Sequence, residues 1–426
     1  MAEKEKRDLV IGFDFGTAAT KVIVRDASLR RAYAIQFRDL AHPKSPYFLP
    51  SEIGLTKKGQ FTLERDKIYF PFKHIKIRLL DDVPQAIKVN GERVQINPIA
   101  LAAIFIGLAI KYVTTAFLQD NTEIYKHVEP IWQLNVGIPA RNYDCVEIRD
   151  KFLNAAKLGW WISRQPQVAD LSTLPELERN LSDARFDCGI HRDHVNVVPE
   201  IAAQVAGYAK SRLREEGLHV LVDIGATTLD VASFVLSAKE GEDRYAFMDA
   251  SVSRFGCNEL HKWRIAKINE HIPRWLSQMG CSCDLIEEVP DKIDHYCPKP
   301  TDLPDVDREF IDNATMYLSG VIKRTKEDKF PLSDAWKNGL PLFLCGGGSG
   351  MRLYKESLIS NAKSRMRGLV WQGFKRVNLP TPDGLFARSL RESEYHRLSV
   401  AYGLSYPIDD IGKIIPPSHV SDAKLE

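Results

Sequence analysis

Asp223-Ile-Gly-Ala-Thr-Thr-Leu-Asp230 sits between two mostly apolar runs, Leu218 to Val222 and Val231 to Leu236. The pattern reads strand, tight turn, strand. Two carboxylates, two threonine hydroxyls and a glycine gather at the turn. A turn of this composition can aim backbone N–H groups at a phosphate while a carboxylate holds a hydrated metal ion.

A near-copy opens the chain. Leu9 to Asp14 is an apolar strand, Phe15-Gly16-Thr17-Ala18-Ala19 a turn, and Thr20 to Val24 a second strand. Gly16 permits close backbone approach or a positive φ. Asp14 accepts hydrogen bonds only when ionised and can hold a metal-bound water. One such turn is as often plain structure as a site. Two in one chain point to a shared ligand, with both acidic turns serving one Mg²⁺, an ion that prefers few carboxylates, several waters and substrate phosphates. Each copy is followed by further strands and helices, so the chain carries a weak internal duplication. Two lobes with a cleft between them are the architecture this predicts.

The bulk numbers agree with a folded chain of this kind. The sequence has 426 residues, 44% hydrophobic and 27% charged, enough for roughly two or three domains at ~150 residues each. Its 58 basic and 56 acidic residues leave a net charge of +2, which calls for neither nucleic acid nor an anionic membrane as partner. The charged start Met-Ala-Glu-Lys-Glu-Lys-Arg lacks an apolar signal core. The longest apolar run, Ile99 to Ile110, is short of the ~20 residues that span a bilayer. Seven scattered cysteines fit a reducing compartment. A cytoplasmic location is expected.

Along the first half, Ala41 to Arg93 reads as irregular, with a basic run near Lys73 to Arg78. Asn97 to Gln119 is a buried helix, Trp132 to Pro139 a strand, and Asn142 to Leu158 a helix. Val195 to Pro199 leads into a helix of small residues, Glu200 to Ala209. Arg212 to Gly217 is a polar connection and the expected boundary and hinge. In the second half, Cys257 to Ile272 is helical and Leu342 to Leu344 is a strand. The glycine-rich run Gly346-Gly347-Gly348-Ser349-Gly350 follows, and then a helix from Met351. Glycines there let a flat ring or a phosphate approach the backbone, and the helix start favours anions. The run lacks the lysine of a P-loop and does not fit a dinucleotide fingerprint. Glu392 to Leu404 is the last expected helix, and the residues beyond it a loose tail. The expected division is 1–212 and 213–426, with inserted upper subdomains near 41–115 and 258–330.

Five motifs in order resemble the actin, heat-shock protein 70 and sugar-kinase ATPase superfamily. They are Asp14-Phe-Gly-Thr17, Val198-Pro-Glu-Ile-Ala-Ala203, Asp223 to Asp230, Cys345 to Gly350, and Ser399-Val-Ala-Tyr-Gly403. In that family they are phosphate 1, the first connecting helix, phosphate 2, the adenosine segment and the second connecting helix. The resemblance covers roughly residues 8 to 405. It implies an α/β fold of two lobes, duplicated ribonuclease H-like domains, with ATP in the interlobe cleft.

It also implies roles. Asp14 and Asp223 would hold hydrated Mg²⁺. Gly16, Thr17, Ala18, Gly225, Ala226, Thr227 and Thr228 would line the phosphates, and Gly346, Gly347, Gly348 and Ser349 the adenosine. Glu200 and Asp230 would orient the attacking water or relay its proton. Lys76, or failing that Lys73, would neutralise charge on the transferred phosphoryl. Such chemistry is positioning and electrostatics. Val198-Pro-Glu200, Lys73 to Leu80 and Phe255 to Glu259 are similar to heat-shock chaperone ATPase domains, whereas Gly225 to Asp230 is closer to plasmid-segregation actins. Ala18 stands where the chaperones carry a second threonine, and Ala226-Thr227 replace a glycine pair. No sugar-binding signature argues for a small-molecule kinase.

The resemblance implies an ATPase whose closure around Mg-ATP regulates an unidentified protein partner. An actin-like filament former that self-associates and a slow nucleotide sensor are the alternatives. About twenty residues follow Gly403, so an autonomous peptide-folding chaperone is not expected. Elsewhere, Cys281, Cys283, His295 and Cys297 have poor spacing for Zn²⁺ and read as free side chains in a partner-contacting loop. Trp160-Trp161 reads as core or lobe surface.

Overall fold

The structure is a computed structural model describing residues 4–43, 45–89, 92–139, 143–183, 185–271, 289–296, 305–369 and 371–422. The chain forms two compact units, Met1–Arg212 with Pro380–Gly412 and Leu213–Leu379 with Lys413–Glu426. The first division falls after Arg212, at the polar connection. The C-terminal part corrects the expectation, because 380–412 belongs to the first unit.

The strands of the two main sheets are, in chain order, β1 (Glu5–Asp14), β2 (Ala19–Asp26), β3 (Arg31–Ala34), β4 (Val128–Ile138), β5 (Val195–Pro199), β6 (Gly217–Ile224), β7 (Leu229–Lys239), β8 (Glu242–Ser253), β9 (Leu340–Cys345), β10 (Phe374–Val377), β11 (Leu385–Phe386) and β12 (Lys413–Ile415). The first sheet runs β5-β4-β1-β2-β3-β11, with Leu49–Pro50 also pairing β2. The second runs β10-β9-β6-β7-β8-β12. In both, the third strand of that order is parallel to the two before it, the fourth and fifth are antiparallel additions, and the sixth is parallel to the fifth. The duplication hinted at in sequence is therefore a repeat of strand order and sense, and the architecture is mixed α/β.

The first unit follows from its apolar runs. β1 is buried on both faces from Leu9 to Asp14, as a central strand between parallel and antiparallel neighbours must be. Between β3 and β4 lie a small three-stranded sheet, the helix α1 (Ile75–Asp81), a hairpin over 85–96, and α2 (Pro98–Asp120). The stretch expected as irregular is thus built of short strands, whose lengths of two to five residues give little periodic signal.

Asn97 starts α2, its side chain accepting from the Ile99 N–H at 2.8 Å, with Pro98 at the first helical position. This helix is long and apolar enough to cross a membrane by composition, but it lies largely buried in the unit. It packs on α3 (Val146–Arg164) through Gly107 and Gly159. A methyl at Gly107 would lie 2.7 Å from Ile162 Cβ and 2.8 Å from the Gly159 carbonyl oxygen. Trp160 is in the core and Trp161 is packed against it.

After β5 comes α4 (Glu200–Ala209), as expected. The returning C-terminal segment is a 3₁₀ turn, Glu392–Arg397, followed by the helix Ser399–Leu404, rather than one helix. It is built into the first unit. The Asn135 amide donates to Leu404 O and Tyr406 O, both at 2.8 Å. The Arg25 guanidinium lies 4.5 Å and 3.7 Å from the Tyr402 and Tyr406 ring centres.

In the second unit, α5 (Cys257–His271) and α6 (Val306–Arg324) precede β9, and a π turn over Leu353–Leu358 continues into α7 (Ile359–Arg365). The buried Arg264 ties α5 to α6 and to Val289–Tyr296. It donates to Asp307 at 2.7 and 2.6 Å, to Pro290 O and to Asp291 O. The expected loose tail is a correction as well, since β12 extends the sheet alongside β8. Of the cysteine–histidine stretch, His295 lies in a 3₁₀ turn; Cys281, Cys283 and Cys297 fall outside the described residues.

Candidate functional site

Asp14 ends β1 and is 5% exposed. The antiparallel register sets Lys21 directly opposite it, and Lys21 Nζ donates to Asp14 Oδ2 at 2.9 Å. The turn between them is tight. The Gly16 N–H donates to Asp14 O at 3.0 Å, and a Cβ on Gly16 would fall 2.3 Å from Ala19 O. No side chain fits there, which accounts for the glycine. Ser51 straps the same turn. Its hydroxyl donates to Gly16 O at 2.6 Å and meets Thr20 Oγ1 at 2.9 Å, and its N–H donates to Ala18 O at 3.0 Å. Thr17 is half-buried and Ala18 exposed at the tip.

Glu200 begins α4, where a carboxylate meets the positive end of the helix. Gly137, at the end of β4, leaves it room, since a Cβ there would lie 2.8 Å from Glu200 Cγ. Lys76 on α1 is buried and donates to Glu200 Oε1 at 2.6 Å, whereas Lys73 is exposed. Burial pushes the Glu200 carboxyl above the usual carboxylate range. Lys76 opposes that shift, nearby Asp14 adds to it, and Lys21 opposes it more weakly. Asp14, Lys21, Lys76 and Glu200 therefore form one electrostatic cluster within the first unit. Lys21 and Ser51 were missed in the sequence.

In the second unit, Asp223 and Asp230 stand opposite each other across β6 and β7. The turn closes through the Gly225 N–H to Thr228 O at 2.8 Å. The start of α5 then pins its outer side. The Gly256, Cys257 and Asn258 N–H groups donate to Thr227 O at 3.1 Å, Gly225 O at 3.1 Å and Ala226 O at 2.6 Å. A Cβ on Gly256 would lie 2.6 Å from the Thr227 carbonyl carbon, so this approach needs glycine.

The glycine run after β9 reaches the same turn from the other side. Gly346 has φ +81, and a Cβ there would sit 2.1 Å from Asp223 Oδ1. The Gly348 N–H donates to Ile224 O at 3.0 Å, and the Ser349 hydroxyl donates to Gly346 O at 2.9 Å. Gly346 and Gly348 thus serve close packing on β6, while Gly347 faces open space. Cys345 pairs beside Asp223, and burial, then that carboxylate, hold its thiol well above the usual range.

The structure thus brings Asp14, Gly16, Thr17 and Ala18 to one turn of the first unit, near the Lys76–Glu200 pair. It brings Asp223, Gly225 to Thr228, Asp230 and Gly346 to Ser349 together in the second. Among the described residues no group of three or more His, Cys, Asp or Glu could hold a metal ion. The carboxylates that face each other are Asp223 and Asp230, hard oxygen donors of the kind Mg²⁺ takes. No protein-family model matches the chain, and no curated protein matches it.

Proposed function

We propose that the chain binds Mg-ATP and hydrolyses it to ADP and phosphate, on a duplicated fold of the actin and heat-shock protein 70 type. The observation that carries this reading is the repeated hairpin. In each unit an Asp-X-Gly turn joins the central strand to its antiparallel neighbour in a sheet of the same order and sense.

The chain's own residues suit the chemistry. The bound metal would supply charge neutralisation at the phosphates. In the first unit Lys76 donates to Glu200, a carboxylate placed to orient a water or take its proton. In the second unit Asp223 and Asp230 supply hard oxygen donors beside the Gly225 to Thr228 turn. Nucleotide-dependent binding of a protein partner is the output we attach to this activity.

Calorimetry with ATP and Mg²⁺ tests binding, and phosphate release tests turnover. Asp223→Ala and Glu200→Ala should each lower turnover by at least about a hundredfold, the scale set by a positioned acid or base. Wild type and both variants releasing phosphate at one rate would remove the catalytic reading. Light scattering with Mg-ATP separates a soluble ATPase from a filament former.

A further inference from the structure

We propose that Asp291 is a positioning residue for the glycine run after β9: it fixes that run against the Gly225 to Thr228 turn and so sets the affinity for a ligand bound there. That the ligand is ATP rests on the reading above; the hold on the glycine run does not.

Asp291 lies in Val289–Tyr296, between α5 and α6, and reaches the glycine run from outside it. Its Oδ1 accepts from the Arg352 N–H at 2.9 Å, where the run passes into the helical stretch that continues as α7. The first N–H groups of a helix have no partner within it. An acceptor from another segment therefore fixes where the helix starts, and a carboxylate suits its positive end. Arg352 offers no capping side chain of its own.

The backbone of Asp291 is itself held. The buried Arg264 donates to Pro290 O at 2.5 Å and to Asp291 O at 3.1 Å, while its fork to Asp307 fixes the guanidinium. Tyr296 secures the far end of the segment. Its ring centre lies 5.3 Å from the Arg264 guanidinium and its hydroxyl 2.9 Å from His261 Nδ1.

These contacts close a ring within the second unit. α5 starts on the Gly225 to Thr228 turn through the Gly256, Cys257 and Asn258 N–H groups. Further along α5, Arg264 holds Pro290 and Asp291, and Asp291 holds Arg352. The Tyr354 hydroxyl returns to Phe255 O at 2.8 Å, and the Gly348 N–H to Ile224 O at 3.0 Å. Asp291 is exposed, whereas Arg264, Tyr296 and Tyr354 are buried, so its carboxylate can be removed without opening the core.

Hydrogen exchange of the whole chain without nucleotide reads the hold directly. Asp291→Ala should speed exchange about fivefold, the loss of one cap. The change should spread beyond Arg352 to residues 346–350, including the Gly348 amide bonded to Ile224. Asp291→Asn keeps an acceptor oxygen and should exchange like wild type. Phosphate release reads the consequence. Asp291→Ala should raise KM for ATP about fivefold at unchanged kcat, the mark of a lost binding contribution, and Asp291→Asn should keep the wild-type KM. A general loss of folding would lower kcat and leave KM in place. Unchanged exchange across 346–350 in Asp291→Ala overturns the proposal, as does an unchanged KM or a lowered kcat. An asparagine variant that matches alanine removes the hydrogen bond as the cause and the proposal with it. Failure of wild type to bind ATP at all, alongside the expected exchange, removes the ATP reading and leaves the hold on the glycine run standing.

Discussion

The two hairpins differ in the residue that faces the aspartate. Asp14 faces Lys21, and the pair is neutral; Asp223 faces Asp230, and the pair is acidic. The same strand order and the same seven-residue spacing thus carry different residues at the facing position. Their supports differ too. The first turn is strapped by one side chain, Ser51. The second is gripped by backbone from two glycine segments. One repeat balances its charge internally. The other presents two carboxylates at facing positions.

Substitutions at the glycine contacts should give the largest effects. A Cβ on Gly403 would sit 1.8 Å from Ala203 O, and the atoms nearest it are all Ala203 backbone, which cannot swing away. Gly403→Ala should cost at least ~3 kcal/mol in denaturant unfolding, as overpacking against backbone does. Gly256→Ala should cost ~2 kcal/mol and disturb the Asp223 turn without touching Asp14. If Gly256→Ala is neutral, the backbone grip that distinguishes the second hairpin is not real.

Lys76→Met comes next. Removing one partner of a buried pair usually costs ~3–5 kcal/mol. Here Glu200 can take up a proton instead, so a loss of ~2 kcal/mol is expected. The pH dependence has a defined sign. Because the folded chain holds the Glu200 proton more tightly than the unfolded one, this group favours folding at low pH. That contribution is lost as pH rises from the ordinary carboxylate value through the raised one. Lys76 pulls the raised value down, so Lys76→Met should move that window to higher pH, along with the acid limb of phosphate release. An acid limb that stays in place would detach Lys76 from Glu200.

The smallest effects test the charge contrast itself. Lys21→Met should destabilise by ~1 kcal/mol in thermal unfolding, since opposed charges help across an antiparallel pair. No loss would remove the stabilising pair from the first hairpin.

Much of this was legible beforehand. Both hairpins, α2 and α4 follow from long apolar runs and from the Pro199-Glu200 start, because a buried strand or helix writes its period into many residues. Lys76 lies in a basic run visible in the sequence, but only the structure ties it to Glu200. Lys21 was not read, yet its signal was present: aligning the two turns residue by residue puts Lys21 against Asp230. The short strands over 49–96 were illegible because two to five residues carry no usable period. The fate of 380–412 was illegible for another reason. Which sheet edge β11 joins is decided by long-range pairing with Arg31–Ala34, and a two-residue strand carries no address.

That return of the chain has a consequence for biosynthesis. The first 212 residues emerge from the ribosome without β11 and without the helix that carries Gly403, and both follow only after the second unit's main strands β6 to β10 have been made. Until then the surface at Gly12, whose Cβ position is 2.3 Å from Ala401 O, has no cover. A nascent first unit is therefore held incomplete while the second unit's main strands are made, in the state where exposed apolar surface invites chaperones or misassembly.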